Sequence, residues 1–230
     1  MKRKDLIISF SILILLLFAG CASYTPSLVR LDPSGPNLGK EVKGDLCIYV
    51  EEYATQEKCQ KAFDTDLADE GVLPLLILVQ NNGQQSYEVK VENITLRDGS
   101  TSIKALTPKE TAGKAKRGAV GRALGWSMIV PIISIPIAIV ASADHTSKVN
   151  KQIVEDFKAK SFQDNIVMPN KEQSGFLFFQ IDKERKDLSS LLLEMKARNI
   201  VTGEVIAITA SLPATTFFKT KKVDSQEEKK

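Results

Sequence analysis

The chain has 230 residues, 43% of them hydrophobic, and a formal charge of +3 set by 31 basic and 28 acidic side chains. That length supports one domain with a sizeable core, or one domain carrying an insertion. So even a charge balance offers no electrostatic footprint for nucleic acid, and that partner is excluded.

Met1-Lys2-Arg3-Lys4 is basic, and the run from Leu6 to Phe18 holds only Ser9 and Ser11 among apolar residues. It falls short of the roughly 20 apolar residues a membrane helix needs and has the form of a signal peptide over 1–20. Small residues at Ala19 and Gly20 leave the backbone open to a peptidase, with cleavage between Gly20 and Cys21. The run Phe18-Ala19-Gly20-Cys21 resembles the lipobox of bacterial lipoproteins. The resemblance implies that Cys21 carries a diacylglyceryl group and palmitate-class acyl chains. Ala22, where Asp would retain the protein, implies the periplasmic face of the outer membrane rather than the inner membrane. Several acyl chains at about 0.8 kcal/mol per buried CH₂ make a stable anchor where one short chain is marginal. An ordinary secretory signal cut nearby is the alternative.

Cleavage would remove Lys2, Arg3 and Lys4 together with Asp5, so the mature chain would carry +1. Two further cysteines, Cys47 and Cys59, would then stand in an oxidising compartment that permits a disulfide between them. Two buried free thiols are the other reading.

Residues 21–43, with Pro26, Pro33, Gly35, Pro36 and Gly39, show no apolar period and read as a flexible tether. Leu46, Ile48 and Val50 alternate with polar or smaller neighbours, as in a half-buried strand. Thr55 is placed to cap a short helix over 56–63. The run Val72 to Val79 is apolar at nearly every position and ends in Asn81-Asn82-Gly83, so it predicts a central strand buried on both sides and followed by a turn. Tyr87, Val89, Val91, Ile94 and Leu96 continue the strand pattern to a second turn at Asp98-Gly99, and 102–106 supplies a short edge strand. These elements make 44–112 the first part of a β-sandwich.

The pattern resumes at Gly175 to Ile181. Over 188–197, Leu188, Leu191, Leu192 and Met195 fit a helix, whereas Leu191, Leu193, Met195 and Ala197 fit a strand. Thr202-Gly203 and the β-branched run 204–212 favour the strand and a closing hairpin. Residues 164–213 thus form the second part of the sandwich, and the charged tail 214–230 reads as disordered. The predicted fold is mainly β, an antiparallel immunoglobulin-like β-sandwich with an inserted apolar helical hairpin and an amphipathic helix.

The insertion covers 113–163. Within 118–143, the run from Ala123 to Ala143 carries no charge. Gly121 and Gly125 place small residues on one helix face, Trp126 lies beside them, and Pro131 and Pro136 disfavour one continuous helix. A single crossing would separate the two halves of the sandwich. Two arms of about 12 residues, ~18 Å each against a ~30 Å hydrocarbon core, would instead dip into one leaflet and return. Asp144 to Ser161 then predicts an amphipathic helix with Val149, Ile153, Val154 and Phe157 on one face, which would lie along the membrane surface or cover the apolar hairpin, packing being the commoner use of such a stripe.

Catalytic signatures are absent. His145 stands alone, neither GxSxG nor a Walker motif occurs, and the acidic group Asp64, Asp66, Asp69 and Glu70 has the wrong register for an EF-hand. Glu51-Glu52 has no visible acid/base partner. No cofactor, metal or catalytic residue is expected. The order of tether, strands, apolar insertion and strands resembles uncharacterised bacterial lipoproteins with an immunoglobulin-like sandwich, a resemblance that implies no activity. The expected function is a non-enzymatic binding or structural module, anchored to the bilayer by Cys21 and by 118–143, that meets an envelope protein or cell-wall partner. The alternative is a membrane-active protein whose apolar segments oligomerise through their glycine faces.

Overall fold

A computed structural model of the chain describes residues 26–115, 150–185 and 187–213. In chain order it contains β1 (Gly39–Lys43), β2 (Leu46–Glu52), helix α1 (Gln56–Phe63), a 3₁₀ turn (Ala68–Glu70), β3 (Val72–Asn81), β4 (Tyr87–Asp98), β5 (Thr101–Lys104), α2 (108–115), α3 (150–160), β6 (Asn165–Val167), β7 (Glu172–Gln180), β8 (Leu191–Asn199) and β9 (Val205–Ser211). One antiparallel sheet has the order β1-β2-β3-β7, and a second has the order β5-β4-β8-β9 with β6 on the first residues of β4.

The two sheets share one core. Ile48, Val50, Leu75, Ile77, Val79, Leu177 and Phe179 of the first sheet meet Val89, Ile94, Leu96, Leu193, Met195, Ile208 and Ala210 of the second. In the second sheet these residues alternate with half-buried or exposed, mostly polar ones, which is how a strand with one wet face must read. The first sheet is covered on both faces at its centre, over β2, β3 and the second half of β7. Its other side carries Cys47, Tyr49, Leu76, Leu78, Phe176 and Phe178, covered by Phe63 of α1, Ala112 and Ala115 of α2, and Ile153 and Phe157 of α3. β3 is therefore sandwiched between sheet and helices, and every residue from Val72 to Val79 is buried. An unbroken apolar run is the sequence such a position demands.

α1 begins where the sequence places it. Thr55 Oγ1 accepts from the Lys58 amide at 3.3 Å, and Asp64 ends the helix in the left-handed region. The Asp98-Gly99 turn closes the β4–β5 hairpin with Gly99 at φ +56°, and Gly203 at φ +75° serves the β8–β9 turn. The ambiguous stretch around Leu191 is a strand, β8.

The Asn82-Gly83 turn carries the chain from one sheet to the other. Asn81 holds this arch: fully buried, it donates through Nδ2 to the carbonyls of Gln85 and Val167 at 2.6 and 3.0 Å and accepts from the Gly83 amide at 3.0 Å.

Three expectations change. The tether reading of 21–43 fails from Ser27 onward, because Leu31 is buried in the outer cluster that also holds Cys59, Ala62 and Phe63 of α1, Val29 and Leu38 pack against that cluster, and 39–43 is strand β1. β1 escapes detection because it is an edge strand whose side chains after Gly39 are exposed, so backbone pairing to β2 and not apolar periodicity defines it. The first part of the sandwich accordingly starts at 39, not 44. α2, split in the sequence reading between strands and insertion, is a helix of its own.

Of the two readings left open for Cys47 and Cys59, the structure has the free thiols, both buried in the outer core, and not the disulfide. Finally, Ile153 and Phe157 of α3 pack on the first sheet, so this part of the amphipathic stripe is consumed by the core rather than by a membrane or a hairpin. The hairpin itself and Val149 lie outside the described residues.

Candidate functional site

β2 ends in two carboxylates, Glu51 and Glu52, and the chain turns at once into α1, whose third residue is Lys58. This short connection folds the lysine back over the strand end. Lys58 Nζ lies 2.7 Å from Glu52 Oε2, 2.8 Å from the Glu52 carbonyl oxygen and 3.2 Å from Glu51 Oε1, and sits 5.4 Å from the centre of the Tyr53 ring. The Glu52 side chain is 4% exposed, so it requires a partner, and Lys58 is that partner.

The sequence reading found no partner for Glu51-Glu52. The signal was present as a cation in the first turn of the next helix, past its cap, but only the turn at Tyr53-Ala54 brings it back.

These groups form one side of a cleft of about 540 Å³, closed on the other by Arg30, Asp32 and the turn Gly35-Pro36-Asn37-Leu38. The wall is the segment that sequence reading assigned to a free tether. Burial, then the nearby Glu51 and Glu52 carboxylates, raises the Tyr53 hydroxyl above its ordinary range. Two hydrogen bonds to Glu52 and an ion pair with Glu51 hold the Lys58 ammonium in place, which suits it to fixing the strand end.

Cys59, one residue on, donates its thiol to the Tyr53 carbonyl at 3.0 Å, and burial pushes its pKa up to about 12. A thiol so protonated is inert.

A second cleft of about 360 Å³ opens beside Val91 of β4 and Phe176 to Phe178 of β7, between 105–108 and 161–164. Val91, Leu106, Phe162, Leu177 and Phe178 make it largely apolar, and Asp164 Oδ1 accepts from the Val91 amide at 2.7 Å. Thr107 and Glu110 cap α2 beside it: Glu110 Oε2 accepts from the Thr107 amide and hydroxyl, both at 2.8 Å, and Thr107 Oγ1 accepts from the Glu110 amide. These bonds hold the Glu110 carboxyl below its usual range. The run Thr107-Pro108-Lys109-Glu110 is a capping box with Pro at the first helical position, a legible signal for α2 that sequence reading passed over.

Gly20 and Cys21 lie outside the described residues, as do Gly121, Gly125, Trp126, Pro131, Pro136 and His145. Of the acidic group, Asp66 accepts from the amides of Ala68 and Asp69 and so caps the 3₁₀ turn. Among the described residues no cluster of side chains could hold a metal ion, and no helix is long and apolar enough to cross a membrane.

No protein-family model matches the chain, and the search of curated proteins finds no match either. Among solved structures, one described as the crystal structure of a functionally unknown protein from Listeria monocytogenes EGD-e is similar over 76% of this chain and 82% of that one, at 15% identity and a TM-score of 0.35. A likeness so slight bears on neither activity nor partner.

Proposed function

We propose that the chain is a bacterial envelope lipoprotein, anchored through an acylated Cys21 at the periplasmic face of the outer membrane, whose immunoglobulin-like pair of sheets is a non-enzymatic binding module. The observation that supports this reading is where the described chain meets the two segments expected in the bilayer. Ser27, close after Cys21 in the chain, donates its amide to the Lys61 carbonyl of α1 at 2.9 Å. The stretch 116–149 leaves from α2 and returns into α3. All three helices cover the same face of the first sheet. Both points of attachment thus share one side of the domain, and the polar outer face of the second sheet looks the other way.

Strand pairing adds a topological constraint. β3, before the insertion, pairs with β7 after it, and β4 pairs with β8. A chain that crossed a bilayer once between them could not make these ladders, so residues 115 and 150 would share one side of any bilayer the stretch between them enters. A re-entrant apolar hairpin bent near Pro131 and Pro136 satisfies this.

The test is Cys21→Ser in cells fed labelled palmitate. The native chain should take up label and fractionate with outer membranes, and the variant should lose the label. A variant that still incorporates label, or a native chain that never does, would overturn the reading.

A further inference from the structure

Large exposed apolar side chains concentrate at one end of the two sheets. Of the seven among the described residues, six lie there: Val42, Ile166, Met168, Ile200, Val201 and Val205. The registers bring them together. Lys43 pairs with Leu46 at the β1–β2 turn, Leu46 with Asn81, Gln80 with Glu172, and Tyr87 with both Val167 and Asn199. Each of the six thus sits in or directly beside a turn at this end. Scattered surface leucines and valines need no explanation, whereas a cluster exposed on three of the four adjacent loops does.

The loops are braced. Asn82 donates its amide to the Asp45 carbonyl at 2.8 Å, Asn81 to that of Lys171 at 2.9 Å, and Ile200 to that of Ser86 at 3.1 Å. Asn199 Oδ1 accepts from the amides of Val201 and Thr202 at 2.9 and 3.1 Å, which holds Val201 outward at 76% exposure. A surface fixed in this way loses little entropy on docking. Its margin carries Lys43, Lys171 and Arg198 against Asp45 and Glu204, all exposed. That mixture is close to neutral, which suits neither a polyanion nor an acidic lipid surface.

We infer that this end is a two-fold interface through which two copies of the chain pair. An isologous contact needs a patch that complements itself, and an apolar centre flanked by both signs of charge does so: rotation about the two-fold axis can set the lysines and arginine of one copy opposite the acids of the other. The geometry of the anchors agrees, a point that rests on the lipid-anchored reading. The helix-covered face would lie toward the bilayer, so strand ends point sideways, and two copies in one membrane meet end to end about an axis normal to it. Ile200 and Val201 form the contact.

The number of chains per particle, measured by native mass spectrometry of the full chain in mild detergent, tests this. The native chain and Cys21→Ser should both give two, because the contact is made by protein and not by lipid. Ile200→Glu combined with Val201→Glu should give one, with cooperative melting retained since both side chains are exposed. Thr209→Glu, on the outer face of the second sheet, should leave two. A native chain that is monomeric at tens of micromolar, or a folded double variant that stays paired, overturns the interface. A native chain that pairs but carries no acyl mass on Cys21 would instead overturn only the lipid anchor.

Discussion

Lys58 Nζ lies 2.7 Å from the buried Glu52 carboxylate and 2.8 Å from the same residue's carbonyl oxygen, so one ammonium satisfies both the side chain and the backbone at the end of β2. Removing the cation would strand a charge that is 4% exposed. Breaking a buried pair costs about 3–5 kcal/mol, and the partial exposure of Lys58 lowers this to about 2 kcal/mol. Lys58→Met should therefore lower the stability measured in urea by that amount. Adding Glu52→Gln should restore at least half of the loss. A single variant as stable as the native protein would show that Glu52 finds solvent instead.

Gly175 lies in β7 where the chain at Phe162 passes against it. A Cβ there would stand 2.5 Å from both the Phe162 nitrogen and its Cα, backbone atoms that cannot swing aside. The Phe162 amide also donates to the Phe176 carbonyl at 2.9 Å, so relief by moving the strands apart breaks a hydrogen bond. Gly175→Ala should cost about 3 kcal/mol in chemical unfolding. The contrasting change, Gly113→Ala, meets nothing within 4 Å and should be neutral or stabilising because it lies within α2.

Adjacent residues of β3 face opposite cores. Ile77 points between the sheets and Leu76 toward the helices. Leu76→Asp and Ile77→Asp should each destabilise by about 4 kcal/mol or more, through loss of a buried side chain and burial of an unpaired charge. Thermal melting of the two variants checks this. Tolerance of Leu76→Asp alone would mean that the helices do not seal the outer face.

Alkaline pH should weaken the fold. Burial pushes the Cys59 thiol up to about 12 from an ordinary 9.0, and it raises the Tyr53 hydroxyl as well. The native state keeps protons that the unfolded chain releases, so stability is complete below pH 9 and falls as pH climbs toward 12. Urea midpoints measured from pH 8 to pH 11 should decline, and Cys59→Ala should decline less steeply over the same range. At about pH 8 only about one Cys59 in ten thousand would be thiolate, so Ellman's reagent should leave Cys59 of a Cys21→Ser chain untouched until urea unfolds it, and burial should shield Cys47 from the reagent until then.

The sequence by itself determined each feature whose cause is local. Thr55 caps α1 with its own hydroxyl, Gly99 and Gly203 supply left-handed turns, and alternation along β4 and β8 states which residues face the core. The run from Val72 to Val79 even announces two covered faces, since no strand with a wet side can be apolar throughout. Tertiary structure alone decided the rest, because the deciding partner is distant. Asn82-Gly83 would serve a hairpin or an arch equally well, and only the buried bonds of Asn81 to Gln85 and Val167 select the arch. β1 has backbone pairing and no apolar period. Leu31 gains its burial in a cluster it shares with a helix that begins only at Gln56, beyond two intervening strands. Glu52 is a solvated carboxylate until α1 folds Lys58 onto it, and the apolar loop end exists only once four turns, spread from the β1–β2 connection to the β8–β9 connection, are brought to one edge by strand register.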